Sequence, residues 1–228
     1  MKVDAFSGIL WRVATTRMPT KWGMFEATGY ERDGANGGQR VETALAIAMG
    51  DLARGAPLVR IHSQCFTGEV LGSLRCDCGE QLSIAMQAIA EEGRGLVIYD
   101  YQEGRGIGLM AKLQAYELQD AGIDTVEANH ALGFKADCRD FSLSAAILLD
   151  LGVSRVRLLT NNPRKSRALS DAGIEILARI PCEAAPTPYS LPYLRAKKDK
   201  MDHALSLQQS PRRSGIARAT SASHGEQL

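Results

Sequence analysis

The period of the hydrophobic pattern changes several times along the chain, and these changes predict alternating strands and helices. Apolar and polar positions alternate over residues 59–64, which indicates a strand with one buried face. Leu82, Ala85, Met86 and Ile89 then recur at helical spacing, with Gly93 placed to end the helix. Further patterns predict strands over 96–101, 155–160 and 174–180, and helices over 109–121, 141–151 and 162–173. This alternation predicts an α/β sheet covered on both faces.

The first 57 residues have a different pattern and predict an N-terminal antiparallel β region. Strands are expected over 22–30 and 40–49, separated by the turn-rich segment ERDGANGGQR, whose Asp-Gly and Asn-Gly pairs favour a hairpin. The expected fold class is α/β, a three-layer α/β/α arrangement with a mixed sheet and this N-terminal region. One domain would span residues 1–205, with the β region at 1–57, an α/β core at 58–182 and a C-terminal segment at 183–205. That segment would contain a charged helix over 193–205.

Composition and charge narrow the function classes. The chain has 27 Lys plus Arg against 26 Asp plus Glu, so its net charge of +1 favours neither a nucleic-acid nor a membrane partner. Residues 206–228 are rich in Ser, Arg and Ala and predict a disordered tail; a basic tail that binds nucleic acid is the alternative. No apolar run suits a signal peptide or a membrane span, so we expect a cytoplasmic protein.

Three of the five cysteines, Cys65, Cys76 and Cys78, form a C-x10-C-x-C array. Three converging thiolates suit zinc, and three protein ligands are typical of a catalytic zinc that keeps its fourth position open. Two alternatives remain at this stage. A distant His62, His130 or His203 would close a structural Cys3His site, or the cysteines are buried or redox-active without a metal.

Two loops have the composition of phosphate-binding sites. Residues 102–108, QEGRGIG, follow a strand and precede a helix, and Arg105 could clamp a phosphate there; a plain turn is the alternative. Thr160, Asn162 and Lys165 offer a second place at a strand end, unless Asn162 only caps the helix and Lys165 is solvated. Both loops would lie along one rim, at the carboxyl ends of strands.

Asp137 and Arg139 form a third candidate feature. If the chain is extended there, the two side chains share one side and place a proton-accepting carboxylate beside a fixed cation. The alternative is that the acids cap a helix and Arg139 is their surface partner, which would contribute little.

Six motifs in unbroken order, HSQC, SLRCDCGEQL, QEGRGIGL, AYELQDAGIDTVEANHALGF, DCRDF and LLTNNPRK, resemble the GTP cyclohydrolase II family over residues 19–180. The resemblance implies a homodimer that uses zinc to open the imidazole ring of GTP. Formate and pyrophosphate would be released, giving 2,5-diamino-6-hydroxy-4-(5-phosphoribosylamino)pyrimidine, the first step of riboflavin biosynthesis. One Zn²⁺ per subunit is implied, and Mg²⁺ would accompany the substrate phosphates.

The resemblance also assigns individual residues. It places zinc on the three clustered cysteines and catalysis on Tyr116, Asp137 and Arg139. The implied GTP contacts are Arg60, Ile61, His62, Ser63, Gln64, Gln81, Glu103, Gly104, Arg105, Thr125, Thr160 and Lys165.

Roles for the catalytic set follow from the same resemblance. Asp137 would be the base, Arg139 the nucleophile on the α-phosphorus, and Tyr116 would orient or donate a proton. Because a guanidinium stays protonated, with a pKa above about 12, clamping of the α-phosphate explains Arg139 equally well.

The chain departs from the family pattern at Gln64, Tyr101, Cys138 and Asp202, which puts substrate fit and rate in question but leaves the metal and catalytic sets intact. A paralogue that binds guanine nucleotide without turnover, or serves another purine-derived pathway, is therefore the alternative function. A zinc-stapled nucleic-acid module is disfavoured by the neutral charge. A deaminase is disfavoured because its H-x-E and P-C-x-x-C signature is missing.

Overall fold

The computed structural model describes residues 9–33 and 41–207. Seven strands make one sheet; in chain order they are β1 (Leu10–Thr20), β2 (Gly23–Asp33), β3 (Val41–Met49), β4 (Leu58–Ser63), β5 (Gly95–Asp100), β6 (Arg155–Leu159) and β7 (Glu175–Ile180). The helices are α1 (Phe66–Glu69), α2 (Cys78–Glu92), α3 (Leu109–Asp120), α4 (Thr125–Ala131), α5 (Ser142–Asp150), α6 (Pro163–Asp171) and α7 (Leu191–Met201). A short 3-10 turn, Glu103–Gly106, precedes α3.

The sheet is mixed, with the strand order β1-β2-β3-β5-β4-β6-β7. Strands β1, β2, β3 and β5 pair antiparallel, whereas β5, β4, β6 and β7 pair parallel. The predicted mixed sheet and the N-terminal antiparallel region are therefore confirmed. The N-terminal strands extend the same sheet as the α/β core.

Helices cover both faces of the sheet. In β5, Leu96 and Ile98 point into one core with Leu148 of α5, and Val97 points into the other core with Ile89 of α2. All five of these side chains are fully buried. Burial of apolar area on both faces is the main stabilising contribution to such a layered fold. The predicted α/β/α arrangement is confirmed.

Strand β4 differs from its prediction, because it is buried on both faces rather than one. Arg60 is 5% exposed and His62 is 2% exposed. Arg60 Nη2 donates to Gln81 of α2, and His62 Nε2 pairs with Glu69 of α1, so polar residues occupy a buried face. Alternation of apolar and polar residues cannot distinguish a polar face exposed to solvent from a buried polar face that forms hydrogen bonds with neighbouring side chains.

Some elements were missed or misplaced by the sequence prediction. Strand β1 is an edge strand, mostly exposed, and lacks the alternation that would reveal it. Helix α4 is short and capped by Asp124. The C-terminal helix ends at Met201, not at residue 205, because Asp202 adopts a left-handed φ of 54°. The predicted hairpin tip (34–40) and the tail from residue 208 lie outside the described residues.

The topology brings three chain segments to one rim. Cys65 follows β4, the glycine-rich loop follows β5, and Thr160 follows β6, and these three neighbouring strands are parallel. The prediction that both candidate loops lie along one rim is confirmed. Within the described ranges, no helix is both long and apolar enough to cross a bilayer.

Helix α5 provides a direct test of the core. Replacing Leu148, which is 0% exposed, with Ala should lower the free energy of unfolding by roughly 2–5 kcal/mol, because it leaves a cavity. Leu149→Ala is the matched control, since Leu149 is 41% exposed on the same helix. Urea titration of both variants measures the difference, and equal losses would contradict the assigned packing of α5.

Candidate active site

Three cysteines converge where β4 ends and α2 begins. Cys65 precedes α1, and Cys78 is the first residue of α2. The Sγ atoms of Cys65, Cys76 and Cys78 all lie within 4.8 Å of one another, and those of Cys65 and Cys76 are 3.5 Å apart. Cysteine side chains from two separate segments thus converge on one point, as the spacing predicted.

Glycines allow this close approach. A Cβ on Gly68 would lie 2.7 Å from Cys76 Sγ and 3.2 Å from Cys65 Sγ. A Cβ on Gly79 would lie 2.7 Å from the carbonyl oxygen of Gly68. Helix α1 and the start of α2 therefore pack together without side chains between them. Gly68 leaves room beside the sulfurs that any other residue would fill.

The donor set suits a soft cation. Zinc favours thiolate ligands. Because zinc is usually four-coordinate, three protein ligands leave one position for water or substrate. No fourth His, Cys, Asp or Glu joins the group within residues 9–33 and 41–207. The Nε2 atom of His62 lies 2.8 Å from Glu69 Oε1, and His203 Nδ1 lies 3.1 Å from the Met201 carbonyl oxygen. The closed Cys3His alternative has no support among the described residues.

Lys112 of α3 lies beside the cluster, although it was not among the site residues predicted from the sequence. Its Nζ lies 3.1 Å from Cys65 Sγ, 2.8 Å from Glu103 Oε1 and 2.8 Å from Thr67 Oγ1. The signal available in the sequence was its position four residues before Tyr116, which places both side chains on one face of the helix.

This ammonium shapes the electrostatics of the site. Hydrogen bonds from Cys76 and Cys78, together with the Lys112 charge, hold the pKa of Cys65 far below its ordinary value. Burial alone would lower the pKa of Lys112, but the Cys65 thiolate and Glu103 outweigh burial and raise it. The cluster therefore favours a thiolate at Cys65, the form that binds metal.

The cysteines open onto a cavity, here called the metal-side cavity. Its walls combine the three cysteines with residues from β4, the glycine-rich loop, α3, α4 and α7. The predicted site residues among them are Ser63, Gln64, Cys65, Cys76, Cys78, Glu103, Gly104, Arg105, Tyr116, Thr125 and Arg139.

A second cavity, here called the basic cavity, adjoins the first. Predicted site residues in its wall are Arg60, His62, Ser63, Gln81, Arg139, Thr160 and Lys165. Lys197 of α7 also lines it, and no acidic residue of the described chain does. Burial, and after it the neighbouring Arg60 and Arg139 charges, lower the pKa of Lys165.

The two cavities share four wall residues, Ser63, Cys78, Arg139 and Tyr193. Arg139 therefore stands where they meet. Buried donors without a partner in the described structure point to a polar ligand on both sides: Arg60 Nε and Asn162 Nδ2 beside the basic cavity, and Arg105 Nη2 beside the metal-side cavity.

The glycine-rich loop lies at the metal-side cavity, away from Thr160 and Lys165. Gly104 and Arg105 have consecutive left-handed φ values of 63° and 61°. A Cβ on Gly106 would lie 3.0 Å from the backbone of Cys138, so the loop packs directly against the segment that carries Asp137 and Arg139. The Phe66 amide donates to Glu103 Oε2 at 2.6 Å, and Lys112 Nζ donates to Glu103 Oε1. The first of these bonds fixes the loop to α1.

The loop with Asn162 and Lys165 combines features of both interpretations, a helix cap and an inward-facing lysine. Asn162 caps α6 by accepting a hydrogen bond from the Arg164 amide at 2.9 Å. Lys165 is 5% exposed and donates to the Ile61 carbonyl oxygen at 2.9 Å, so the alternative of a solvated lysine is wrong. Sequence alone could not show that the ammonium turns inward.

Asp137 and Arg139 are joined as a buried pair. Asp137 Oδ1 accepts from Arg139 Nε at 2.9 Å and Oδ2 accepts from Nη2 at 2.8 Å. Burial alone would raise the pKa of Asp137, but the bonds to Arg139 outweigh it and bring that pKa down to about 2. Side-chain exposures of 5% and 12% rule out the surface-pair alternative.

Two of the predicted site residues lie behind the cavity walls. The side chain of Ile61 is fully buried in the core, and only its carbonyl oxygen reaches Lys165. Asp137 is 5% exposed and lines neither cavity. The structure brings the other predicted residues together around the two cavities.

Comparisons with known proteins show the family of this chain. The family model for GTP cyclohydrolase II matches residues 11–181. A GTP cyclohydrolase-2 from Shigella boydii is 52% identical over 86% of this chain and 97% of its own, and one from Shewanella amazonensis is 51% identical over 85% and 93%. A riboflavin biosynthesis protein RibBA from Salinispora arenicola is 51% identical over 86% of this chain and 46% of its own. The chain therefore belongs to the GTP cyclohydrolase II family of hydrolases.

Proposed function

We propose that this protein is a zinc-dependent GTP cyclohydrolase II that releases formate and pyrophosphate from GTP and supplies the first step of riboflavin biosynthesis. The observation that carries the proposal is the pair of adjoining cavities, one beside three thiols and the other lined by cations. GTP has a base that must reach the reactive centre and a polyanionic tail that must be neutralised. The two environments match these two ends of one molecule.

Cations in the basic cavity are suited to the triphosphate. Lys165 and Arg60 are both 5% exposed, so their charges act where water screens them little. Thr160, 2% exposed in the same wall, adds a hydroxyl. Mg²⁺ would accompany the phosphates, as is usual in phosphoryl transfer.

The metal-side cavity is suited to the guanine ring. Cys65, Cys76 and Cys78 would hold the zinc ion, which supplies Lewis acidity that makes water a better nucleophile at neutral pH. Lys112 offsets part of the negative charge of the three thiolates. Two water molecules are consumed as the bonds from C8 to N9 and N7 break: both water oxygens leave in formate and the nitrogens keep protons. Tyr116 lines this cavity and orients the base or donates a proton.

Arg139, at the junction, would meet the α-phosphate. Its guanidinium is already held by Asp137 and also donates to Ser63 Oγ at 3.3 Å. Water adds to the α-phosphorus, the bond to the bridging oxygen breaks, and pyrophosphate leaves with the electron pair. Arg139 stabilises the charge that develops there, acting as a clamp. Asp137, with a pKa near 2, is a weak proton acceptor while this pair is intact, and its role is to hold the clamp.

The assembly is proposed to be a homodimer, as the family resemblance implies.

The first test of the function measures products. Purified protein with GTP, Mg²⁺ and Zn²⁺ should release formate and pyrophosphate in equal amounts. Cys76→Ser should lose bound zinc, measured by elemental analysis, and formate release should fall at least about 100-fold, because the variant lacks a metal ligand. Cys138→Ser is the control for metal content, since Cys138 is exposed and outside the cluster.

The outcomes separate the competing functions. GTP bound but returned unchanged would favour the nucleotide-binding paralogue. Undiminished formate release by Cys76→Ser would contradict the assigned metal site.

A second test separates the two roles of Arg139. Turnover of GTP labelled at the α-phosphorus is quenched with denaturant at alkaline pH, where a phosphorus–nitrogen bond survives, and the protein is analysed by mass spectrometry. A clamp predicts no phosphorylated peptide, and Arg139→Lys should lower kcat roughly 100-fold because Lys cannot hold the phosphate in two places. Arg195→Lys, an exposed change on α7, is the control. A nucleotidyl adduct on the peptide containing Arg139 would establish the covalent route instead.

A further inference from the structure

Helix α7 lies beyond the segment matched by the family model, yet it forms part of the site. The match ends at residue 181, and α7 spans Leu191–Met201. Tyr193 lines both cavities and Lys197 lines the basic cavity. Two cations lie close to the Tyr193 ring, with Lys197 Nζ 4.3 Å and the Arg105 guanidinium carbon 5.2 Å from its centre. These contacts bring the helix directly against both halves of the site.

The helix is anchored at its C-terminal end. The His203 amide donates to the Lys197 carbonyl oxygen at 3.2 Å, and the Ala204 amide donates to the Asn161 carbonyl oxygen at 3.0 Å. Lys197 itself is 9% exposed. Its ammonium is therefore held at a fixed position, unlike that of a surface lysine.

A continuous chain of hydrogen bonds runs from Lys197 into the basic cavity. Lys197 Nζ donates to Asp77 Oδ1 at 2.9 Å, and Gln81 Nε2 donates to Asp77 Oδ2 at 2.6 Å. The other end of the Gln81 amide, Oε1, accepts from Arg60 Nη2 at 2.7 Å. Arg60 Nη1 donates to the Leu159 carbonyl oxygen at 3.1 Å. Every link joins buried groups of opposite charge or complementary polarity.

The orientation of the Gln81 amide in this series of hydrogen bonds depends on Asp77. An amide side chain has a donor end and an acceptor end, so the bond to Asp77 leaves the acceptor of Gln81 facing Arg60. Asp77 is 5% exposed, and Lys197 is the cation that balances its charge. Without that ammonium, the buried carboxylate would compete for the cations of the basic cavity.

We propose that Lys197 is a positioning residue for nucleotide binding, which acts through Asp77 and Gln81 to hold Arg60 toward the basic cavity. The inference rests on the proposed function, because Arg60 is expected to contact the triphosphate. It extends the site beyond the matched segment and assigns a role to the C-terminal helix.

The test compares Lys197→Met with Lys198→Met, a matched change at the exposed neighbouring position. The affinity for a non-hydrolysable GTP analogue is measured by calorimetry, alongside kcat and KM with GTP. Lys197→Met should weaken affinity roughly tenfold and raise KM more than it lowers kcat, because one charged hydrogen-bond chain is broken. Lys197→Arg should stay within about threefold of wild type, since it keeps the charge.

A double variant tests whether the effect passes through Asp77. In Asp77→Asn/Lys197→Met the uncompensated carboxylate is gone and Asn still accepts from Gln81, so affinity should recover toward wild type relative to Lys197→Met alone. No recovery would show that Lys197 binds the nucleotide directly and would overturn the positioning role. Equal affinities for Lys197→Met and Lys198→Met would overturn it as well.

Two further measurements keep the interpretation specific. Zinc content should match wild type in Lys197→Met, because the sulfur ligands are unchanged, and a parallel loss of zinc would overturn the inference. If Lys197→Met folds poorly by urea titration, Lys197→Arg and the double variant still decide. Wild-type protein that neither binds nor hydrolyses GTP would refute the proposed function first, and the inference with it.

Discussion

Compensation of buried charge at one rim of the sheet is the constraint on which the site depends. Thiols, carboxylates and cations gather where β4, β5 and β6 end, and few of them are open to solvent. An uncompensated buried charge costs several kcal/mol, so each must have a partner. Lys112 balances Glu103 and the Cys65 thiolate, and Arg139 balances Asp137. The exception is the basic cavity, where cations outnumber anions.

That excess of positive charge suits the proposed anionic ligand. Lys165 donates only to a backbone carbonyl oxygen in the described structure, and Arg60 and Asn162 each keep a buried donor without a partner. A protein can maintain such an arrangement where a ligand completes it. In the proposed function, the same residues that would destabilise an isolated core would provide binding energy for a polyphosphate.

Much of this could be predicted from the sequence, and the limits have physical causes. Local periodicity predicted the core strands and helices, and the cysteine spacing predicted the cluster, because both depend on residues close in the chain. Lys112 was missed because its partners, Cys65 and Thr67, are more than forty residues away. The burial of Lys165 and the contact from Lys197 to Asp77 likewise depend on tertiary packing. Strand β1 was missed because an exposed edge needs no apolar face.

In the proposed binding mode, one GTP molecule spans the two cavities, with Arg139 at their junction. The most direct test is a crystal structure of the zinc-loaded protein with a non-hydrolysable GTP analogue. We expect zinc on Cys65, Cys76 and Cys78 with no fourth protein ligand, the guanine C8 facing the metal, and the triphosphate against Arg60 and Lys165. A triphosphate bound outside the basic cavity, or a metal closed by a fourth side chain, would contradict it.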